Sequence, residues 1–284
     1  MPSVVDQDRW VRAVDIVPGL RQMVHHVILY LTDDPTQIAL AQQLETEDPD
    51  PGYDCWGGPR ITPGAGPGLL KEAGGMLGGW VPGASVAELP SDIGILVPKG
   101  AYIIMQVHYN LSAGDPPGPD QSRVGLYFHT QTPKNRLFSL PVLNDQFVLP
   151  PGAMDQQVDA VFSLNLADYG IPLPDFLVPQ FSAINIAPHM HQLGHKIRAD
   201  LTQPDGTEVP LVEIDDWDFH WQGFYYYTNP VPLPYRSKIK VSCVFDNTTD
   251  HEVRWGESTQ DEMCLVFLGF IAQGGISVLL GNPQ

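Results

Sequence analysis

Met23-Val24-His25-His26-Val27-Ile28-Leu29-Tyr30-Leu31 is the stretch on which the reading of this chain turns. It is a short, almost continuous apolar run, of the length a buried strand needs and shorter than a helix with its own apolar face. Runs of the same kind recur at Ala101–Asn110, Val124–Thr130, Val158–Leu164, Phe181–Ala187, Lys196–Thr202, Ser237–Phe245 and Met263–Ala272. Between them, 27 glycines and 28 prolines punctuate the sequence, as turns do between the strands of sandwiches and jelly rolls. No stretch sustains a period of 3.6; the best helix candidate is Thr36–Leu44, a turn or two long. The predicted fold is therefore all-β, two jelly-roll β-sandwich domains in tandem. A length of 284 residues suits two domains, and Pro133 and Lys134 interrupt the pattern between Gln131 and Arg136, which sets the expected domains at 1–134 and 135–284.

The formal net charge is −18, which argues against nucleic acid or anionic lipid as a partner. No apolar run reaches the roughly 18–20 residues of a membrane-spanning helix, and Met1 to Trp10 is too polar and acidic for a signal peptide. The cysteines are Cys55, Cys243 and Cys264, one possible pair and one over, with no CxxC. A long Gly/Pro-rich segment runs from Glu45 to Pro90. Its acidic start, Glu45 to Asp54, lacks the spacing and bidentate glutamate of a calcium loop. Gly64, Gly66 and Gly68 before Lys71 follow no strand and do not fit a phosphate loop. Asn110 and Asn247 open N-x-[ST] patterns, which matter only in a glycosylating host.

Five of the nine histidines fall in three groups inside or beside apolar runs: His25 and His26, His108 in Gln106-Val107-His108-Tyr109, and the HxH of His189 and His191. On a strand, residues two apart share a face, so an HxH can grip one ion, and imidazole suits zinc, copper, iron and nickel. For an isolated HxH, two surface histidines at a strand end are the commoner reading. Adjacent His25 and His26 would point to opposite faces of a regular strand and could share an ion only at an irregular place. In such apolar surroundings each needs a partner, which a hydrogen bond in the core would also supply. His108 alone reads as a structural histidine.

Taken together, these segments resemble the copper type II, ascorbate-dependent monooxygenases, the family of the peptidylglycine α-hydroxylating and dopamine β-hydroxylating enzymes. Val24-His25-His26-Val27 is similar to that family's HH motif, Gln106-Val107-His108-Tyr109 to its QVHY segment, Pro188-His189-Met190-His191-Gln192-Leu193-Gly194 to its HxHxLG motif and Asp261-Glu262-Met263-Cys264 to its DEMC motif. They come in the family's order. Trp80 to Gly94 and Leu149-Pro150-Pro151-Gly152 also resemble family segments, so the likeness covers nearly the whole chain.

The resemblance implies two copper ions, one per domain, facing each other across a solvent-filled cleft. His25, His26 and His108 would hold the copper that stores and delivers an electron. His189, His191 and Met263 would hold the copper where O2 and substrate react, and are the catalytic set. Thioether sulfur favours Cu(I), in keeping with a copper that rests reduced, although a strand methionine is by itself ordinary core. Ascorbate or a similar reductant, O2 and a small organic substrate hydroxylated at a C–H bond complete the implied reaction. Gln106 is a candidate to orient the first site. The resemblance also implies a Cys243–Cys264 disulfide and an extracytoplasmic location, secreted or periplasmic. The family's partner for Cys55 would fall just before Met1, so the chain is expected to begin late, without its first strand region.

Two departures bear on substrate. Where the peptide-amidating members carry an arginine two places before the HxH, this chain has Ala187; where they carry a tyrosine four places after the copper methionine, it has Phe267. Both argue against peptide amidation. The aromatic stretch Trp217-Asp218-Phe219-His220-Trp221-Gln222 reads as strand packing or as pocket lining. The alternatives of other classes are a copper-binding or electron-transfer protein on the same fold, a zinc enzyme using the HxH, and a decayed member that keeps only the fold.

Overall fold

The computed structural model describes residues 5–55, 58–61, 75–110, 118–170 and 172–274; the Gly64–Lys71 glycines lie outside them. The chain divides into two compact units, Met1–Phe138 and Ser139–Gln284. The strands run β1 (Arg9–Val17), β2 (Val24–Thr32), β3 (Met76–Trp80), β4 (Ile93–Val97), β5 (Tyr102–Tyr109), β6 (Arg123–Phe128) and β7 (Asn135–Asn144), then β8 (Val148–Leu149), β9 (Gln156–Ser163), β10 (Gln180–His189), β11 (Gly194–Thr202), β12 (Glu208–Ile214), β13 (Tyr225–Leu233), β14 (Lys238–Phe245), β15 (Val253–Arg254) and β16 (Cys264–Gln273). Among the described residues the one α-helix is α1 (Pro35–Glu47), so the expected all-β class holds.

In the first unit β2 is the centre of a three-stranded antiparallel sheet, with β3 on one side and β5 on the other. A second sheet pairs β1 with β4 and β6, and the first residues of β7 run parallel to β4. Val11, Val27, Leu29, Leu77 and Val97 form the centre of one core, which is why the run around β2 is apolar almost throughout. The helix begins one residue earlier and ends three residues later than its apolar pattern suggested, and its start is well capped. The Asp34 carboxylate accepts from the backbone N–H groups of Thr36 and Gln37, and Pro35 occupies the first turn. β1 escaped the sequence reading because Arg9, Arg12 and Asp15, each half-buried, break its apolar pattern.

In the second unit, β12-β11-β14-β9 form one antiparallel sheet and β13-β10-β16 belong to another, with β7 beside β16. Ile197, Ala199, Leu201, Ile239, Val241 and Phe245, all 0% exposed, line the inner face of the first of these sheets. β13 was unexpected, since it contains Pro230 and Pro232. It is an edge strand that pairs with β10 alone, the position in a sheet that tolerates proline. The Cys243–Cys264 disulfide joins β14 to β16, and β16 packs on β14 and β9. Replacing both cysteines by serine should lower the stability of this unit by roughly 3 kcal/mol, the usual effect of closing a loop of about 20 residues. Denaturant titration of the double variant against the oxidised parent checks this, and equal midpoints would contradict it.

Asn247 is 0% exposed, and its side-chain amide donates to the carbonyls of Leu149, Pro150 and His251. That engagement, rather than glycosylation, accounts for the residue: it pins the Leu149–Gly152 turn against the end of β14.

Candidate metal centres

In the first unit, His25, His26 and His108 come together. Regular strand geometry would send His25 and His26 to opposite faces. The pairing of β2 with β5 instead shifts register between Val24 and His26, and His26 then stands opposite His108. A bulge of this kind re-aims one side chain without interrupting the strand. The result is that Nδ1 of His25 lies 3.1 Å from Nδ1 of His26 and 3.4 Å from Nδ1 of His108. His25 and His26 are 6% and 8% exposed, and burial lowers the pKa of His108, which favours its neutral, ligating form. Three imidazole nitrogens at such separations fit one ion, since metal–nitrogen bonds of about 2.0–2.1 Å put neighbouring donors roughly 3–3.5 Å apart. Gln106, on β5, accepts from the Tyr30 hydroxyl at 3.0 Å and donates to the Cys55 carbonyl at 3.0 Å, which fastens the Cys55 loop to the sheet.

In the second unit, β10 ends at His189, and His191 lies in the turn that follows, so the two do not share one strand face. Their rings nevertheless stand 5.1 Å apart, nearly perpendicular. The turn is tight: a Cβ on Gly194 would lie 2.7–2.9 Å from the Met190 side chain, which explains the glycine of the HxHxLG segment. Each imidazole has its Nδ1 committed. Nδ1 of His191 donates to the Asp261 carbonyl at 2.9 Å. Nδ1 of His189 is 2.7 Å from Oε1 of Gln222, and the Gln222 amide is fixed in that sense because its Nε2 donates to the Phe219 carbonyl. A carbonyl oxygen only accepts, so the proton is on Nδ1 of both rings and the lone pair is on Nε2, which makes Nε2 the ligating atom at this centre.

The segment hydrogen-bonded to the HxH turn comes from far along the chain. Met263, 9% exposed, immediately precedes β16. Its neighbour Glu262, 0% exposed, accepts from the backbone N–H groups of His191 (2.9 Å), Leu193 (2.6 Å) and Met263 itself (3.2 Å). One buried carboxylate thus clamps the HxH turn to the Asp261–Cys264 segment. Burial pushes its pKa up to about 7, against the lowering effect of those N–H groups. Trp217 donates from its indole to the His191 carbonyl at 3.2 Å, and the Phe219 ring lies 6.0 Å from that of His191.

Sequence reasoning gathered the histidines and Met263 but missed Glu262 and Gln222 as parts of the site. The signal for Gln222 was present in the aromatic stretch around it. That stretch is a loop closing over the histidines, with Trp221 76% exposed at its outer side. A Gln222→Leu variant should bind metal at the second centre about 10–100-fold more weakly, because an outer partner that fixes a ligating histidine typically has that effect. Competition with a chelator measures it; unchanged affinity there would remove Gln222 from the site.

The description "Copper type II ascorbate-dependent monooxygenase, C-terminal domain" matches residues 138–277. DBH-like monooxygenase protein 2 of Mus musculus is 25% identical over 285 residues, covering 92% of this chain and 40% of that protein. DBH-like monooxygenase protein 1 of Homo sapiens is 22% identical over 261 residues, covering 88% of this chain and 39% of that protein. The chain spans half or less of the length of the curated relatives it matches. Among solved structures, one of the infectious bursal disease virus Gt strain covers 95% of this chain and 58% of that chain at 11% identity, with a TM-score of 0.25, an overlap too slight to bear on the fold.

Proposed function

The chain belongs, through its C-terminal half, to the copper type II, ascorbate-dependent monooxygenases, and from that premise we propose that it hydroxylates a C–H bond of a small organic substrate with O2 and ascorbate or a similar reductant. The observation that carries the reading is the paired-imidazole centre of the second unit, where the protons of both rings are held on Nδ1 and the HxH turn shares the Glu262 carboxylate with the backbone N–H of buried Met263. That donor set, two borderline nitrogens and one soft sulfur, suits copper in its reduced state better than zinc. His189, His191 and Met263 would hold one copper ion, and His25, His26 and His108 the other. Copper bound there would supply one-electron transfer and O2 chemistry.

The protein's own residues do the rest. Gln222 and the Asp261 carbonyl hold the two imidazoles in the ligating tautomer. Glu262 fixes the distance between the HxH turn and the methionine segment. The Trp217–Gln222 loop covers the histidines with large apolar groups, which limits water at the reacting centre and offers an apolar surface to a substrate. Ala187 and Phe267 supply no charge or hydroxyl at the positions where the amidating relatives use arginine and tyrosine, which favours a substrate without a peptide carboxylate. The disulfide supports an oxidising, extracytoplasmic compartment.

Metal analysis of the purified chain, followed by oxygen-electrode assays with ascorbate and a panel of small aromatic and aliphatic substrates, tests the reading. Two coppers per chain and oxygen uptake matched mole for mole by hydroxylated product are expected. Zinc in place of copper, or copper binding with no product-coupled uptake from any substrate, would refute it.

A further inference from the structure

We propose that the second unit carries another metal site, formed by Asp155, His195 and Asp246, that takes a divalent first-row cation of the zinc class. The three residues come from separate segments, and the sheet register brings them together. Phe245, the last residue of β14, pairs with Gln156 at the start of β9 and with Gly194 at the start of β11. Asp246, Asp155 and His195 are the residues next to these, at one end of three neighbouring strands. Two local irregularities then bring their side chains towards one another. The β11–β14 pairing shifts register between Gly194 and Lys196, so His195 is the bulged residue. Asp155 has a φ of 51°, in the left-handed region that an aspartate tolerates better than most residues.

The donor atoms are arranged as a cation would arrange them. Nε2 of His195 lies 3.5 Å from Oδ1 of Asp155 and 3.6 Å from Oδ1 of Asp246, and all three lie within 4.8 Å of one another. That nitrogen is shielded from solvent and makes no hydrogen bond. An N–H shared with a carboxylate would normally close to about 2.7–3.2 Å. A tetrahedral ion with bonds of about 2.0–2.2 Å instead separates adjacent donors by roughly 3.3–3.6 Å, and both His195–carboxylate distances fall there. The surroundings are built rather than loose. Asp246 Oδ1 also accepts from the backbone N–H of Asp155 at 2.8 Å, and the N–H of Asp246 donates to the Leu193 carbonyl at 2.8 Å. One imidazole and two carboxylates suit zinc-class ions, whereas calcium and magnesium prefer oxygen alone. Two negative charges balance a dication, and the exposed side of Asp155 leaves a position for water. An ion held there would cross-link the ends of β9, β11 and β14 beside the Leu193–Gly194 turn.

The test uses the full chain with copper already loaded and excess metal removed. Zn(II) is titrated by calorimetry, and zinc and copper are counted after gel filtration. One further equivalent of zinc is expected, with a raised unfolding temperature. His195→Gln and Asp246→Asn should weaken its binding at least tenfold while leaving the copper content unchanged. Asp155→Asn, at a mostly exposed position, should do the same without risk to folding. If the parent takes up no further zinc, if zinc enters only as copper leaves, or if all three variants bind zinc as the parent does, the proposal is overturned.

Discussion

Met263→Ile should lower product-coupled oxygen uptake at least about 100-fold, since even the outer partners of a metal ligand are worth 10–100-fold. Methionine and isoleucine are close in volume, so the buried position stays filled and the stability loss should remain below about 1.5 kcal/mol. What the substitution removes is the soft sulfur. The three-histidine centre of the first unit should keep its copper, so the variant retains at least one ion while turnover is lost. Metal analysis with X-ray absorption at the copper edge separates these effects: the copper–sulfur scattering of the reduced protein should vanish. Unchanged turnover, or a copper–sulfur signal that survives, would refute the role given to Met263.

His108→Ala is the second large effect. It takes one of three nitrogens from a cluster in which His25 lies within 3.4 Å of both other rings' Nδ1 atoms. Copper affinity at the first centre should fall at least about 100-fold, by the same comparison with outer-partner effects. Turnover with ascorbate should slow in proportion, while the second unit, with its own core and disulfide, should unfold at its usual denaturant concentration. Full steady-state activity in this variant would remove the electron-delivery role from the first centre. The two variants also test each other. Met263→Ile should leave reduction of the first copper by ascorbate intact, whereas His108→Ala should leave the copper–sulfur signal of the second.

Much of this was legible along the chain. The run around β2, the later apolar runs and the frequent glycines and prolines set the all-β class, because strand periodicity and turn residues are local properties. Boundaries differed by a residue or two, as with Val24–Thr32 where Met23–Leu31 was expected. The strands β1, β3, β4, β7, β8, β12, β13 and β15 were not expected, and in two of them, β1 and β13, the tertiary setting overrides the local pattern. The charged residues of β1 are tolerated at half-buried positions and the prolines of β13 on a sheet edge, while a cap sets the start of α1.

The candidate site divides along the same line. By itself the sequence determined which donor atoms the chain possesses: paired imidazoles, a methionine and three cysteines, in the order of a known family. It could not determine how adjacent His25 and His26 serve one centre, because the bulge that turns them exists only in the pairing of β2 with β5. Nor could it reveal that Glu262 reaches the backbone of His191 and Leu193, some 70 residues earlier, or that Gln222 sets the proton on His189. Residue identity is written in one dimension. The tautomer of an imidazole, the satisfaction of a buried carboxylate and the convergence of ligands depend on distances between segments that only the packed sheets bring together.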